Sequence, residues 1–278
     1  MPRLAPTEGL LEAARSLDRM PVADVLGLIF EEDARGHRAI RSVLPRLAEA
    51  VDVLAVGLAG GGRWFNVGAG TSGRIGVLDA SEVPPTFGWP RQRVEGIMAG
   101  GDRALREAVE SAEDDAEAAI AALGDRELGP GDAVLAISAS GQTPFALGGL
   151  EAAYEAGARR LALTCDPGSP LAEAAEIVIA PEVGPEVIAG STRMKGGLVQ
   201  KACLHMLSTA VMVRLGRVEG NRMTHLAPAS AKLRKRAERT LCELSGVGGE
   251  EARELLRSCG GDLSLSLEKA RRSGPRRV

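Results

Sequence analysis

The sequence predicts an α/β fold in which a parallel sheet is flanked by helices and followed by a small helical domain. From about residue 63 to residue 215, short apolar runs alternate with stretches of helical periodicity. Loops rich in Gly and Ser join them, as is typical of strand–helix units in a parallel sheet. Beyond residue 217 the apolar runs give way to three short helical stretches separated by Gly, which predict the small helical domain, called the helical appendage below.

The apolar pattern places each element. Apolar residues at three- and four-residue spacing predict helices over 22–34 and 38–58, the second started or kinked by Pro45. The predicted strands are 63–67, 94–98, 133–137, 160–164 and 177–180. The helices among and after them are 72–81, 105–123, 143–156, 170–175 and 192–215, and those of the appendage are 230–244, 249–258 and 262–270. Pro84 and Pro85 predict that the helix over 72–81 does not continue past them.

Four segments are expected along the chain. Residues 1–50 form an N-terminal helical segment that packs on the core, and residues 51–217 form the sheet domain. Residues 218–229 form a linker in which Gly220, Asn221 and Pro228 interrupt any helix. Residues 230–278 form the small helical domain and end in a short basic tail.

Composition excludes several classes of function. A net charge of -3 and an aromatic content of 3% disfavour a nucleic-acid surface. No apolar run approaches the ~20 residues of a membrane span. The four cysteines form no C-x-x-C pair, and the N-terminal stretch lacks the apolar core of a signal peptide, so reduced thiols in a cytoplasmic protein are expected. The sequence shows no convincing cluster of His, Cys and Asp residues that could ligate a metal.

A glycine motif follows the first predicted strand. Gly68, Gly70 and Gly73 spell G-x-G-x-x-G, a pattern that also occurs in dinucleotide-binding turns. Such a turn needs an acid about twenty residues later, at the end of the next strand, to bind the ribose. Residues 84–93 contain none, and Glu95 lies at the start of that strand. The hydroxyls of Thr71 and Ser72 suit a compact phosphate better.

The loop after the third predicted strand repeats this chemistry. It comprises Ser138, Ser140, Gly141, Gln142 and Thr143, and it opens the next helix. Free backbone N–H groups, the helix dipole and hydroxyls all favour a phosphate there. Each loop alone is equally explained by Ser and Thr acting as helix N-caps. Because two such loops lie on one predicted sheet, a phosphorylated ligand is favoured.

Longer strings carry a specific resemblance. VGAGTSGRIGVLDASEVPPTFG, IMAGGDRALREAVESAEDD, ISASGQTP, VGPEVIAGSTRMKGGLVQK and HMLSTAVMVRLGRVEGN closely resemble the N-acetylmuramic acid 6-phosphate etherase family. The similarity extends from about Glu31 to about Asn221, and Thr7 and Glu8 match the family's N-terminal start. It implies a sugar isomerase (SIS) fold, a three-layer sandwich of a parallel sheet between helices.

The resemblance also implies an activity. The family cleaves the D-lactyl ether of N-acetylmuramic acid 6-phosphate without a metal or organic cofactor, and it is homodimeric. By resemblance, Glu82 is the principal acid/base and Glu113 the second catalytic glutamate. The phosphorylated amino sugar is expected to contact Gly70, Thr71, Ser72, Ser138, Ser140, Gly141, Gln142, Thr143, Glu186, Ser191, Arg193 and Lys195.

Each assignment has a simpler alternative. Glu113 falls among Glu107, Glu110, Asp114 and Glu117, which look like the solvated face of the helix predicted over 105–123. Arg193 and Lys195 would be surface charges, and Glu82 would be an exposed acid near a helix end. Gln142 departs from the family, which usually carries Arg there, and so puts the substrate in doubt.

Two other functions fit the same fold. A non-catalytic phosphosugar sensor would use the helical appendage to control a partner. It has no need of two carboxylates, so Glu82 and Glu113 argue against it. A phosphosugar isomerase would need only a base for proton transfer between C1 and C2. The string DASEVPPTFG favours the etherase, whose distinguishing product is lactate.

Overall fold

A computed structural model describes residues 4–226 and 230–272 of the chain. Residues 1–3, the last three residues of the predicted linker and most of the predicted basic tail lie outside the described part. The helices are α1 Val22–Ala39, α2 Leu44–Ala59, α3 Gly70–Phe87, α4 Gly101–Ala104, α5 Ala116–Gly124, α6 Pro144–Glu155, α7 Pro170–Ala174, α8 Lys195–Arg214, α9 Ala231–Ser245, α10 Gly249–Ser258 and α11 Leu263–Arg272. The strands are β1 Trp64–Gly68, β2 Val94–Met98, β3 Ala133–Ile137, β4 Arg159–Leu163, β5 Ile177–Ile179, β6 Val218–Glu219 and β7 Arg222–Met223.

The predicted parallel sheet is confirmed. Five strands pair in the order β2-β1-β3-β4-β5, and every pair is parallel. The chain passes from β1 to β2 on one side and returns to β3 on the other. The strand order therefore reverses between β1 and β3, and α/β sheets bind ligands at the carboxyl ends of such strands.

Alternation along β1 directs side chains to both faces of the sheet. Phe65 and Val67 are fully buried in a cluster with Ala119 of α5 and Leu150 of α6. On the opposite face the Asn66 amide donates to the carbonyl of Gly76 in α3, at 3.1 Å. The sheet therefore has helices on both faces, which makes its strands apolar on both sides.

Helix α3 corrects one prediction. It was expected to stop before Pro84 and Pro85, yet it continues to Phe87. A proline removes a backbone donor but accepts the helical φ, and the ladder resumes where Gly88 N donates to the Pro84 carbonyl at 2.9 Å. The helix ends at Phe87, and the next residue, Gly88, has a φ of +60°.

The predicted helix over 105–123 is wrong in its first part, since it is α-helical only from residue 116. After the short α4, Ser111 adopts a left-handed φ of +61°, and a single 3-10 turn follows over Ala112–Asp114. Helix α5 then starts at Ala116, where the Asp115 side chain accepts from Ala118 N as its N-cap. The acidic residues between α4 and α5 therefore do not share one helix face.

The described chain divides into two compact units. The first contains residues up to Ala80 together with Gln92–Val211, and the second contains Ser81–Arg91 and the residues from Met212 onward. The second unit has its own core around α9, α10 and α11, which includes Leu241, Ala252 and Leu267. No helix within the described ranges is both long and apolar enough to cross a membrane.

Candidate active site

A cavity of about 340 Å³ lies where the loops after β1 and β3 meet. Gly68 and Ile137, the last residues of these strands, are register partners, so the loops that follow start side by side. The lining combines small and hydroxyl residues of the two loops with three carboxylates. It comprises Glu8, Ala69, Gly70, Thr71, Ser72, Glu113, Asp114, Ser138, Ala139, Ser140, Gln142, Thr143, Pro144, Gly190 and Thr192.

The loop after β1 is built by close backbone contact. A Cβ on Gly73 would lie 2.5 Å from the Gly68 carbonyl oxygen, and one on Gly68 would lie 2.9 Å from the Ile137 carbonyl oxygen. Gly70 has a φ of +53° and begins α3. The first amides of α3 therefore face the cavity without intrahelical partners, which makes this helix end suited to an anion.

The loop after β3 is built by side-chain hydrogen bonds. The Ser138 hydroxyl accepts from Gly141 N at 3.1 Å and shares a 2.8 Å hydrogen bond with the Thr143 hydroxyl. The buried Thr164 hydroxyl also donates to the Ala139 carbonyl of this loop, at 3.3 Å. Thr143 makes no side-chain N-cap to α6. N-capping therefore does not explain the Thr143 hydroxyl.

The cavity combines negatively charged side chains with the positively polarised N-terminal ends of two helices. Glu8, Glu113 and Asp114 contribute carboxylates, and the lining contains no Lys or Arg among the residues that the structure describes. Attraction for an anion therefore comes from the N-terminal ends of α3 and α6, with the amides and hydroxyls of the loops. A phosphate would bind at the loops, while the carboxylates suit groups that donate hydrogen bonds.

The two expected catalytic glutamates lie in different surroundings. Glu113 reaches the cavity because the left-handed Ser111 and the 3-10 turn bring it there. Its alternative as part of a helix face is excluded by the break in the helix. Glu82 is exposed on α3, in the part of that helix that groups with the second unit, and it does not line the cavity.

Five of the expected substrate contacts do not line this cavity: Gly141, Glu186, Ser191, Arg193 and Lys195. Lys195 is 1% exposed, and its ammonium donates to Glu32 Oε2 at 2.5 Å, so the alternative that it is a surface charge is wrong, while its role as a ligand stays a prediction. Arg193 is exposed, Ser191 is half-buried, and neither belongs to the lining. Gly141 is buried and does not line the cavity, and its φ of +66° allows the loop to turn there.

Glu186 has a structural position instead. It is 1% exposed, and its carboxylate accepts from the amides of Lys195 and Gly196 at 3.2 and 2.8 Å. Burial raises the pKa of Glu186, and the two amide hydrogen bonds and nearby Lys195 oppose this rise only in part. Glu186 thus caps the first turn of α8.

Sequence reasoning missed Glu8, Asp114, Gly190 and Thr192, which also line the cavity. The match of Thr7 and Glu8 to the family's N-terminal start was a signal for the first of these. The described residues contain no group of three His, Cys, Asp or Glu side chains arranged to hold a metal ion.

The strand order and the paired hydroxyl loops define a SIS-domain protein. A model described as "SIS domain" matches residues 115–210, and one described as "Glucokinase regulatory protein N-terminal SIS domain" matches residues 46–154. Among solved structures, an E. coli CFT073 protein in complex with A5P has a TM-score of 0.53 at 20% identity, covering 73% of this chain and 97% of its own. A phosphoheptose isomerase from Neisseria gonorrhoeae has a TM-score of 0.52 at 16% identity, covering 69% and 98%. At these identities the likeness concerns the fold alone.

Relatives with higher sequence identity show to which family of SIS-domain proteins the chain belongs. The chain is 46% identical over 253 residues to an N-acetylmuramic acid 6-phosphate etherase of Vibrio vulnificus, covering 91% of this chain and 84% of the relative. It is 48% identical over 245 residues to one of Yersinia pestis, covering 88% and 83%. It is 42% identical over 261 residues to one of Clostridium beijerinckii, covering 94% and 86%. The chain belongs to the N-acetylmuramic acid 6-phosphate etherase family.

Proposed function

We propose that the protein is a carbon–oxygen lyase that cleaves the D-lactyl ether at C3 of N-acetylmuramic acid 6-phosphate. The products are N-acetylglucosamine 6-phosphate and D-lactate, as in the recycling of cell-wall amino sugars. The observation that carries this proposal is the cavity at the β1/β3 reversal, where two hydroxyl loops and the Glu113 carboxylate face one space. The family membership supplies the identity of the substrate.

The 6-phosphate binds at the two loops. Backbone amides at the start of α3, together with Thr71, Ser140 and Thr143, offer hydrogen-bond donors around one dianion. The Ser72 hydroxyl donates to Gln200 Oε1 at 2.9 Å, so Ser72 serves this site through its backbone amide. A volume of about 340 Å³ is at the lower end for small-molecule sites and suits a single phosphosugar.

The chemistry needs an acid and a base. In the open-chain form the C1 aldehyde acidifies the C2 hydrogen, and a base removes that proton. An acid protonates the ether oxygen, the C3–O bond breaks, and D-lactate leaves behind a C2–C3 double bond. Water then adds its oxygen at C3 and a proton returns to C2. Following the family resemblance, we assign the principal acid/base role to Glu82, which does not line the cavity, and the second role to Glu113, which does.

We further propose that the protein acts as a homodimer in the cytoplasm. Val22, Leu26 and Phe30 recur every four residues on α1 and are 75%, 62% and 70% exposed, which gives the first unit an apolar stripe that a second copy can cover. Light scattering coupled to size exclusion should give twice the mass of one chain. The fully buried free thiol of Cys165 suits a reducing compartment.

The test is D-lactate release from N-acetylmuramic acid 6-phosphate, run in D₂O. Elimination followed by addition places deuterium at C2 of the sugar product. Glu82→Gln and Glu113→Gln should each lower kcat by at least about 10²-fold. Glu110→Gln is the matched control, because Glu110 is an exposed acid near Glu113 that does not line the cavity.

Three results would contradict the proposal. The first is interconversion of hexose phosphates without lactate, which would indicate an isomerase. The second is phosphosugar binding without any turnover, which would indicate a sensor. The third is near-normal turnover by Glu82→Gln, which would remove that residue from its assigned role.

A further inference from the structure

We propose that Glu8, carried by the N-terminal segment 5–9, selects the sugar part of the phosphosugar by accepting a hydrogen bond from it. This proposal rests on the proposed function, since it names the group that distinguishes a sugar phosphate from phosphate alone at the same cavity. It assigns Glu8 to ground-state binding, and the chemical steps stay with the other carboxylates.

The segment that carries Glu8 is anchored to the first unit. Ala5 is 2% exposed and Thr7 is fully buried, so alternate residues of this segment pack inward. The Thr7 carbonyl accepts from Gly190 N at 3.2 Å. A Cβ on Gly9 would lie 3.2 Å from Pro185 Cγ, which shows how closely the segment approaches the 185–190 loop. Glu8 therefore extends from a fixed backbone.

The loop opposite leaves room for the Glu8 carboxylate. Gly190 has a φ of +73°, and a Cβ on it would lie 2.7 Å from Glu8 Oε2. A side chain at position 190 would therefore displace the flexible Glu8 carboxylate from this position and strain the backbone. Glu8 and Gly190 both line the cavity, so the glycine keeps open the place where the carboxylate faces the ligand space.

Within the part of the chain that the structure describes, the Glu8 carboxylate has free acceptor capacity. Among residues 4–226 and 230–272, none donates a hydrogen bond or forms an ion pair to it. An ionised carboxylate only accepts hydrogen bonds, and it repels a phosphate dianion. The hydroxyl loops are the complementary place for the phosphate, so the group that approaches Glu8 is a donor of the sugar, either a hydroxyl or the amide N–H.

A contact of this kind is made in the ground state and kept in the transition state. Its loss raises KM and leaves kcat nearly unchanged, whereas loss of an acid or base lowers kcat. Removal of one hydrogen bond to a charged group weakens binding by about 10- to 100-fold. Inorganic phosphate lacks the sugar, and loss of a nearby negative charge does not weaken its binding, so its affinity should not fall.

The experiment compares two ligands by calorimetry. Wild type, Glu8→Ala and Glu8→Gln are titrated with N-acetylglucosamine 6-phosphate and with inorganic phosphate, and kcat and KM are measured on N-acetylmuramic acid 6-phosphate. Glu12→Ala is the matched control, since Glu12 is an exposed N-terminal acid that pairs with Arg15 at 2.7 Å and lies outside the cavity lining. Thermal melting of each variant checks that the fold is retained.

For Glu8→Ala we expect the Kd for the sugar phosphate to rise at least tenfold. The Kd for inorganic phosphate should rise by no more than about twofold, and kcat should stay within about threefold of wild type. Glu8→Gln, which keeps one acceptor oxygen and the shape, should fall between. An unchanged Kd for the sugar phosphate would overturn the proposal, as would equal weakening of both ligands or a fall in kcat at constant KM.

The two proposals can fail separately. If wild type binds N-acetylglucosamine 6-phosphate but releases no D-lactate, the etherase proposal fails while the calorimetry still decides the role of Glu8. If wild type binds no hexose 6-phosphate, both are overturned.

Discussion

The loops after β1 and β3 present the same chemistry to one cavity but are constructed differently. The loop after β1 requires residues without side chains, because the backbone at Gly68 and Gly73 packs directly against other backbone atoms. The loop after β3 requires particular side chains, because hydrogen bonds of the Ser138, Thr143 and Thr164 hydroxyls fix its conformation. An anion site can thus be shaped by steric exclusion on one side and by a hydrogen-bond network on the other. The two constructions predict different responses to mutation.

The largest effect is expected in the first loop. Gly73→Ala places a Cβ 2.5 Å from the Gly68 carbonyl oxygen and 2.9 Å from Met98 Cγ, and the first of these is backbone that cannot move away. We expect the free energy of unfolding to fall by about 3 kcal/mol, measured by urea denaturation. Gly124→Ala is the control, since a Cβ there meets nothing within 4 Å. Equal effects of the two substitutions would show that close contact does not build this loop.

A smaller effect is expected in the second loop. Ser138→Ala removes the partner of the Thr143 hydroxyl and the side-chain acceptor of Gly141 N, which keeps its 3.2 Å bond to the Ser138 carbonyl; Ser138 is 3% exposed. We expect a loss of about 1–2 kcal/mol in the free energy of unfolding and weaker binding of inorganic phosphate. The exposed Ser42→Ala, which loses only a local bond to Ala39, should change stability by less than about 0.5 kcal/mol. If phosphate binding were unaffected, the network would not support the site.

The smallest effect concerns charge at the exposed rim of the second loop. Gln142→Arg adds a cation to a lining that has none among the described residues. We expect KM to fall about threefold at low salt with no change in stability, because an exposed charge contributes little and is screened. Gln142→Glu should raise KM instead. A change that persists in high salt would indicate a direct, desolvated contact and a larger role for position 142.

Local sequence patterns were sufficient to predict the strands of the sheet and the two hydroxyl loops. All five predicted strands occur within one residue of their expected bounds, since buried parallel strands are short apolar runs between turn signals. Both hydroxyl loops line the cavity because the order of strands brings their ends together. The acids between α4 and α5 were misplaced because a left-handed Ser111 has no reliable signature in sequence.

Other features of the site depend on distant contacts. Lys195 resembles a surface charge in GSTRMK, yet it is buried against Glu32, a residue 163 positions earlier in the chain. Glu8 reaches the cavity only through the packing of the N-terminal segment on the 185–190 loop. Periodicity contains no information about such pairings, so these placements required the structure.

The most direct test of the central claim is a crystal structure with N-acetylglucosamine 6-phosphate. We expect the phosphate in the cavity between the loops, within hydrogen-bond distance of the amides at Thr71 and Ser72 and of the hydroxyls of Ser140 and Thr143. The sugar should extend toward Glu8 and Glu113. A phosphate held at any other surface, with this cavity empty, would contradict the assignment of the two loops as the phosphate site.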